Sequence, residues 1–289
     1  MTAHEIQRRT LTRPITIEGL GLFTDAPASS TLTPAAAGSD ICFRHKGTLV
    51  PAKIANLAPS PIPAFATLPA RHTCLAQGPA RVTTCEHILS ALTGLGITDV
   101  TIELGDSGEL PIGDGSAKPF TDAIASDDTH TLDDQVTPIT VRKPVTVRSG
   151  SATITAEPAD SASYTYHFEP PEGSPLKAQA ATWNGNADDY LANVAPARTF
   201  STLAEATQAK ALGLFTCFTP RELLVLDDIT GTPIDNRFRF DNEPARHKLL
   251  DLIGDLALVG RPIWARITAT RSGHALNHEL ARRIVEMID

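Results

Sequence analysis

The stretch His247-Lys248-Leu249-Leu250-Asp251-Leu252-Ile253-Gly254-Asp255 carries one imidazole and two carboxylates at intervals of four. On a helix that spacing sets all three on one face, each a turn above the last. A lone His–Asp pair of this kind is most often a surface ion pair. Two further elements change the reading. Glu86-His87 stands near the start of an apolar helical pattern, and Ser272-Gly273-His274 follows the strand that leaves the His247 segment. Two imidazoles and a carboxylate suit an open zinc site, with a spare glutamate beside one ligand. Adjacent helical residues point about 100° apart, so Glu86 and His87 cannot both bind one ion. The histidine can take the metal and the glutamate the water.

The elements that must position these groups are punctuated. Asn242-Glu243-Pro244 offers an N-cap and a proline tolerated in the first turn, while Gly260 and Pro262 mark the end. Leu249, Leu252, Ile253 and Leu256 supply the apolar stripe. In the first half, Thr83 or Thr84 can cap a helix whose stripe is Ile88, Ala91, Leu92 and Leu95 and whose stop is Gly94 or Gly96. A strand with Val100, Ile102 and Leu104 on one face follows.

Upstream, Ile15-Thr16-Ile17 reads as a strand entering the loop Gly19-Leu20-Gly21-Leu22-Phe23-Thr24-Asp25, which lacks the GxGxxG spacing and supports no nucleotide-binding claim. Thr31 to Val50 is expected as a strand pair, and 55–69 as irregular chain. Pro111 to Phe120 is a loop of turn formers entering a short helix, with Asp114 a turn residue.

The second half repeats the order. Ile139/Val141, Val145/Val147, Ile154 and Tyr164/Tyr166/Phe168 alternate as strands, and Pro170 to Asp189 is an insertion. A helix is expected from Ser201 to Leu212, a strand from Leu223 to Asp227, another from Ile263 to Thr270, and a last helix from Asn277. Strands bunched before helices in each half predict an α+β fold. The polar, acidic run from Ser126 to Gln135 is the best linker, dividing the chain into domains at 1–127 and 136–289 with the linker at about 128–135.

A chain of 289 residues with 42% hydrophobic content can bury one large core or two ordinary ones. Its net charge of −8, without a basic run, disfavours nucleic-acid binding. The sequence shows neither a membrane-spanning run nor a signal peptide. Cys42, Cys74, Cys85 and Cys217 lack CxxC spacing, so a reducing cytoplasm is expected and a structural zinc ribbon or disulfide framework is not. A monomer is the default.

Taken together, these stretches resemble the zinc-dependent UDP-3-O-acyl-N-acetylglucosamine deacetylases of lipid A synthesis. The resemblance rests on Thr84-Cys85-Glu86-His87 through Ile97, on Pro111 to Ala117, on Ala197-Arg198-Thr199-Phe200, on Arg246 to Leu256 and on Ser272 to Asn277. Order and rough spacing match over nearly the whole chain. The resemblance implies two similar α+β domains, their helices packed together between two outer sheets, with the active site at the junction. It implies Zn2+ bound by His87, His247 and Asp251, Glu86 as general base and His274 as general acid oriented by Asp255. It further implies that Thr199 donates a hydroxyl to the carbonyl oxygen, Phe200 lies against the sugar ring and Lys248 contacts the diphosphate. The substrate would be a nucleotide sugar bearing an acyl chain.

Departures from the family pattern bear on substrate more than on chemistry. Phe23 stands where the family usually carries His, and Leu214 to Pro220 replaces a glycine-rich stretch with a following Ser and Asn-Ala pair. Asn236-Arg237-Phe238 replaces the usual Gly-Leu, and Pro170 to Asp189 falls where the family forms its acyl-chain passage. The alternatives are a zinc amidohydrolase for another N-acylated amino sugar and a non-catalytic sugar-binding homologue. Binding alone needs neither Glu86 nor His274. A structural metal protein is disfavoured because such sites prefer four closed ligands, often cysteines. His4, His45, His72, His130, His167 and His278 show no ligand spacing and read as surface or structural.

Overall fold

The computed structural model describes residues 5–65, 71–124 and 128–288. Strand β1 (Ile6–Leu11) precedes β2 (Ile15–Leu20), β3 (Pro27–Pro34), β4 (Ile41–His45) and β5 (Thr48–Pro51), then the hairpin of β6 (Cys74–Gln77) and β7 (Ala80–Thr83). Helix α1 (Glu86–Gly94), β8 (Val100–Leu104) and α2 (Lys118–Ala123) complete the first half. Strand β9 (Thr129–Val136) leads to β10 (Ile139–Thr140), β11 (Val145–Ser149), β12 (Ala152–Pro158), β13 (Ser163–Phe168) and β14 (Gln179–Trp183). There follow α3 (Ala187–Asn193), β15 (Phe200–Thr202), α4 (Leu203–Ala211) and β16 (Leu224–Leu226). Helix α5 (Glu243–Leu256), β17 (Ile263–Thr270) and α6 (His274–Glu286) end the chain.

The two large sheets share one topology. The first runs β2-β3-β8-β4-β5 and the second β11-β12-β17-β13-β14, with β10 added beside β17. In each, two antiparallel hairpins are separated by a strand that arrives last, antiparallel to one neighbour and parallel to the other. Closing the parallel pair needs a crossover, and in each half a helix supplies it, α1 before β8 and α5 before β17. α1 and α5 are therefore equivalent elements of a repeated α+β unit. They pack directly against each other, while α5 also rests on β13 and β14, and α6 on β11 and β12. One continuous core joins Leu32, Phe43 and Ile102 of the first sheet to Ile154, Tyr164 and Ile267 of the second through Ile88, Leu92, Leu249 and Leu252. Among the described residues no helix is long and apolar enough to cross a membrane.

Local chemistry explains most boundaries. Along β17 the buried residues Ile263, Ala265, Ile267 and Ala269 alternate with more exposed ones, the period-2 pattern of a strand with one face on the core. Helix α5 begins beside Pro244, and its last turn tightens over Ala257–Val259 before Gly260 takes a left-handed φ of 85°. Three boundaries differ from expectation. Helix α4 begins at Leu203 rather than Ser201, because Thr202 caps it in a reciprocal capping box with Glu205 while 200–202 pair with β16. Helix α6 begins at His274 rather than Asn277, with Gly273 as a cap that has no side chain to announce it. Helix α1 is capped by neither Thr83, which ends β7, nor Thr84; the cap is Cys85.

Residues 128–135, whose polarity marks a linker, lie almost wholly in β9, antiparallel to β1 with Leu11 opposite Thr129 and Ile6 opposite Val136. Their polarity fits a strand that is mostly solvent-facing. Ser126 and Asp127 lie outside the described residues, as do 66–69 of the stretch expected to be irregular. The remainder of that stretch includes the 3-10 turn Pro63–Phe65.

The α1–α5 contact is backbone to side-chain-free backbone. A Cβ on Gly254 would stand 2.0 Å from the Glu86 carbonyl oxygen. One turn pair away, Tyr190 of α3 lies against α1, where a Cβ on Gly94 would fall 2.3 Å from its ring, and its hydroxyl donates to Ser90 Oγ at 2.7 Å. Gly254→Ala should therefore destabilise the protein by about 1–3 kcal/mol through overpacking. Gly273→Ala, at extended backbone with open space around the new methyl, should cost less, about 0.5–1 kcal/mol, from the N-cap preference for Gly over Ala alone. Urea unfolding of both variants checks the contrast, and equal stability would remove the close-contact argument.

Candidate active site

Three side chains converge where α1 meets α5. His87 Nε2 lies 3.6 Å and His247 Nε2 3.4 Å from the same oxygen, Asp251 Oδ1. The potential ligand atoms of all three lie within 4.8 Å of one another and the residues are buried. The imidazole rings stand nearly perpendicular, centroids 5.2 Å apart. His247 Nδ1 sits 3.2 Å from the Ala197 carbonyl; donating there leaves Nε2 with its lone pair toward the cluster. Burial first, then the His87 and Lys248 charges, lower the His247 pKa to about 3 against the pull of Asp251, so the ring is neutral. Burial would raise the Asp251 carboxyl, but His247 and Lys248 hold it well below the carboxylate range. A neutral His247 imidazole and an ionised Asp251 carboxylate are in the protonation states a metal requires, so with His87 beside them this set can hold a metal ion.

Glu86 is the first residue of α1 and lies beside, not in, this set. Its Oε2 accepts from the Thr73 backbone N–H at 3.0 Å. Burial raises its pKa, with His274 and His87 working against that rise. The entry to α1 is set by distant chain. Thr84 adopts a left-handed φ of 60°, and its hydroxyl donates to Glu109 Oε1 at 3.2 Å. Glu109 also accepts from the Phe23 and Thr24 amides at 2.9 and 3.0 Å, tying the early loop to the start of α1.

Asp255, one turn beyond Asp251, is fully buried and gathers four donors. His274 Nδ1 (2.8 Å) and Asn277 Nδ2 (2.9 Å) reach Oδ2; Thr73 Oγ1 (2.5 Å) and His278 Nε2 (3.2 Å) reach Oδ1. Asp255, His274 and His278 also satisfy the spacing of a metal group. With every carboxylate lone-pair direction already taken, they form a hydrogen-bonded network instead. Burial alone would lower the His274 pKa; the charge and hydrogen bond of Asp255, with Asp251 and Glu86 behind it, raise it to about 9. His274 is thus an imidazolium at neutral pH, held by Nδ1 with Nε2 left for the site.

Beside these groups lies a cavity of about 580 Å³. His274, Lys248, Thr199 and Phe200 line one end, and Phe23, Phe65, Leu214, Phe215 and Phe218 form apolar wall elsewhere. Thr199 is fixed by its amide donating to the Gly115 carbonyl at 2.6 Å. Phe200 is half-buried, with the Lys248 ammonium 6.0 Å from its ring centroid. Lys248 Nζ donates to Asp251 Oδ2 at 2.8 Å. Asp114 accepts from Ser116 as a turn residue does, and it also pairs with Arg239 at 2.7 Å. No residue of 170–189 lines this cavity, which α4 and the loop after it help to enclose; 179–183 form β14.

All nine residues singled out from the sequence thus meet in one region. Sequence reasoning missed Thr73, Asn277 and His278, each bound to Asp255, and Glu109. His72, read from the sequence as surface or structural, is a buried ring whose centroid lies 4.4 Å from that of Phe23 and whose Nε2 is 3.1 Å from Ser60 Oγ. The i, i+3, i+4 spacing of His274, Asn277 and His278 would have flagged the network had α6 been started at His274.

Comparison with known proteins agrees. A family model described as UDP-3-O-acyl N-acetylglycosamine deacetylase matches residues 8–286. The UDP-3-O-acyl-N-acetylglucosamine deacetylase of Myxococcus xanthus (strain DK1622) is 33% identical, the match covering 99% of this chain and 88% of that protein. The protein of the same name from Geobacter sp. (strain M21) is 34% identical, over 98% of this chain and 90% of its own. That of Chlamydia abortus (strain DSM 27085 / S26/3) is 31% identical, over 98% and 99%. The chain belongs to this family and is an enzyme, a deacetylase.

Asp255→Asn should release His274 from its imidazolium state, moving its pKa from about 9 to or below the ordinary 6.5. Loss of a buried pair also costs about 3 kcal/mol near neutral pH. Because the folded His274 pKa is raised, its share of that stability is complete below pH 6.5 and fades as pH rises through about 9. The gap between wild type and variant should therefore narrow in alkali. Histidine NMR titration and urea unfolding at pH about 7 and 10 read both effects.

Proposed function

We propose that the chain hydrolyses the N-acetyl amide of UDP-3-O-acyl-N-acetylglucosamine, with zinc held by His87, His247 and Asp251. The observation that carries this is the convergence of two imidazoles on one carboxylate oxygen, with a base on one side and an imidazolium on the other. The donor set fits zinc: three nitrogen and oxygen ligands leave a coordination place open, and His247 is fixed through Ala197. When bound, zinc supplies a Lewis acid and makes water more acidic.

The residues divide the remaining work. Glu86, whose burial strengthens it as a base, takes the proton of the attacking water. The water oxygen bonds to the acetamide carbon, and the Thr199 hydroxyl, which has no partner among the described residues, donates to the carbonyl oxygen. As the C–N bond breaks, His274 Nε2 gives its proton to the departing amine, while Asp255 keeps the ring oriented through Nδ1. Phe200 presents its face to the sugar. Lys248 commits one of its three donors to Asp251 and keeps the others for the diphosphate.

The apolar cavity beyond supports a substrate that carries an acyl chain. On this reading the enzyme acts in the cytoplasm on a lipid A precursor, and 1–127 and 136–289 are domains sharing one site.

Purified protein should deacetylate that nucleotide sugar with about one zinc per chain, losing activity to a chelator and regaining it with zinc. Glu86→Gln should keep zinc and lower kcat by about 100-fold or more. His247→Ala should lose both. Because His274 must be protonated, turnover should fall as pH rises through about 9. Zinc without turnover would overturn the substrate; full activity in Glu86→Gln would overturn the assigned base.

A further inference from the structure

A second cavity, of about 250 Å³, lies on the other side of α5 from the metal-ligating face. Ile253, Leu256 and Ala257 face it, and at 100° per residue they point away from the row His247, Asp251, Asp255. It opens at the seam between the halves. Ile41, Thr93 and Ile97 reach it from the first half, and Tyr164, Trp183 and Trp264 from the second.

Its charge is lopsided. Arg8, Lys53 and Arg261 line it against a single carboxylate, Asp40. Two of those cations are already committed. Arg8 Nη1 binds Asp40 Oδ1 at 3.2 Å and Asp99 Oδ1 at 3.0 Å, and Lys53 Nζ binds Asp40 Oδ2 at 3.0 Å. Arg261 has no ion pair or hydrogen bond among the described residues. In addition, Arg8 Nε is buried and lacks a hydrogen-bond acceptor, although Asp134 Oδ2 stands 3.4 Å away.

We propose that this cavity binds a small amphipathic monocarboxylate, its apolar body among Tyr164, Trp183 and Ile253 and its head on Arg261. One uncommitted guanidinium calls for one negative charge, and its planar fork matches a carboxylate. Aromatic and aliphatic walls with few convergent polar groups are the composition of a small-molecule site. The volume is less than half that of the substrate cavity, which limits the guest to a short body. The site is independent of the deacetylation chemistry, sharing with it only the helix between them.

The protein carries its own reporter, since its two tryptophans, Trp183 and Trp264, both line this cavity. Titration of the zinc-loaded protein with octanoate should give a saturable change in tryptophan emission. Arg261→Ala should weaken that binding by about tenfold or more, in keeping with loss of a charge-assisted pair. Octanol should bind the wild type no better than octanoate binds the variant. Ala162→Leu, which adds volume at the cavity wall, should abolish the emission change while leaving deacetylase turnover intact. Turnover in the same samples separates failure here from failure of the catalytic reading. An emission change that does not saturate, or equal affinity in wild type and Arg261→Ala, overturns the proposal.

Discussion

The site depends on how closely two helices can approach. Gly254 of α5 presses against the Glu86 carbonyl of α1, at a separation that admits no side chain. That contact brings His87 of one helix within reach of His247 and Asp251 of the other. It also sets Glu86 beside the cluster rather than in it. If the helices stood a methyl group further apart, each side chain could still find a rotamer, but the three donor directions would no longer meet. Tyr190, lodged against Gly94 and bonded to Ser90, seats α1 from a second direction.

The second organising feature is the carboxylate of Asp255. It is fully buried, yet four donors satisfy it: Thr73, just before β6, and His274, Asn277 and His278 of α6. A buried charge is tolerable only when paired and hydrogen-bonded in this way. Two histidines of one region hold opposite protonation states. His247 is neutral, first through burial and then through the imidazole and Lys248 beside it; His274, buried too, is charged because it faces Asp255 with Asp251 and Glu86 nearby. Environment rather than residue type decides which can bind a metal and which can deliver a proton.

Much of this was legible in the sequence because the relevant signals are local. Proline at 244, glycine at 260 and the four-residue spacing of His247, Asp251 and Asp255 define α5 without reference to anything else. The equal strand order of the halves also shows in the patterning. What stayed hidden was imposed from afar. Thr84 enters a left-handed conformation where Glu109, 25 residues away in sequence, receives its hydroxyl. The start of α6 carries no capping side chain, so the sequence pattern begins the helix three residues late, at Asn277, and hides the face shared by His274, Asn277 and His278. Part of the cavity wall comes from α4, which buries no residue fully, so its apolar side chains read in the sequence as those of an ordinary surface helix.

The repeated topology has a consequence for where the candidate metal centre resides. α1 and α5 are the same element of two copies of one β-sheet plan, and each contributes only part of the donor set. Neither copy owns the centre; it exists only as a property of their pairing. A metal bound there would be a clasp between two structural siblings, and its retention would measure how faithfully the two copies remain docked.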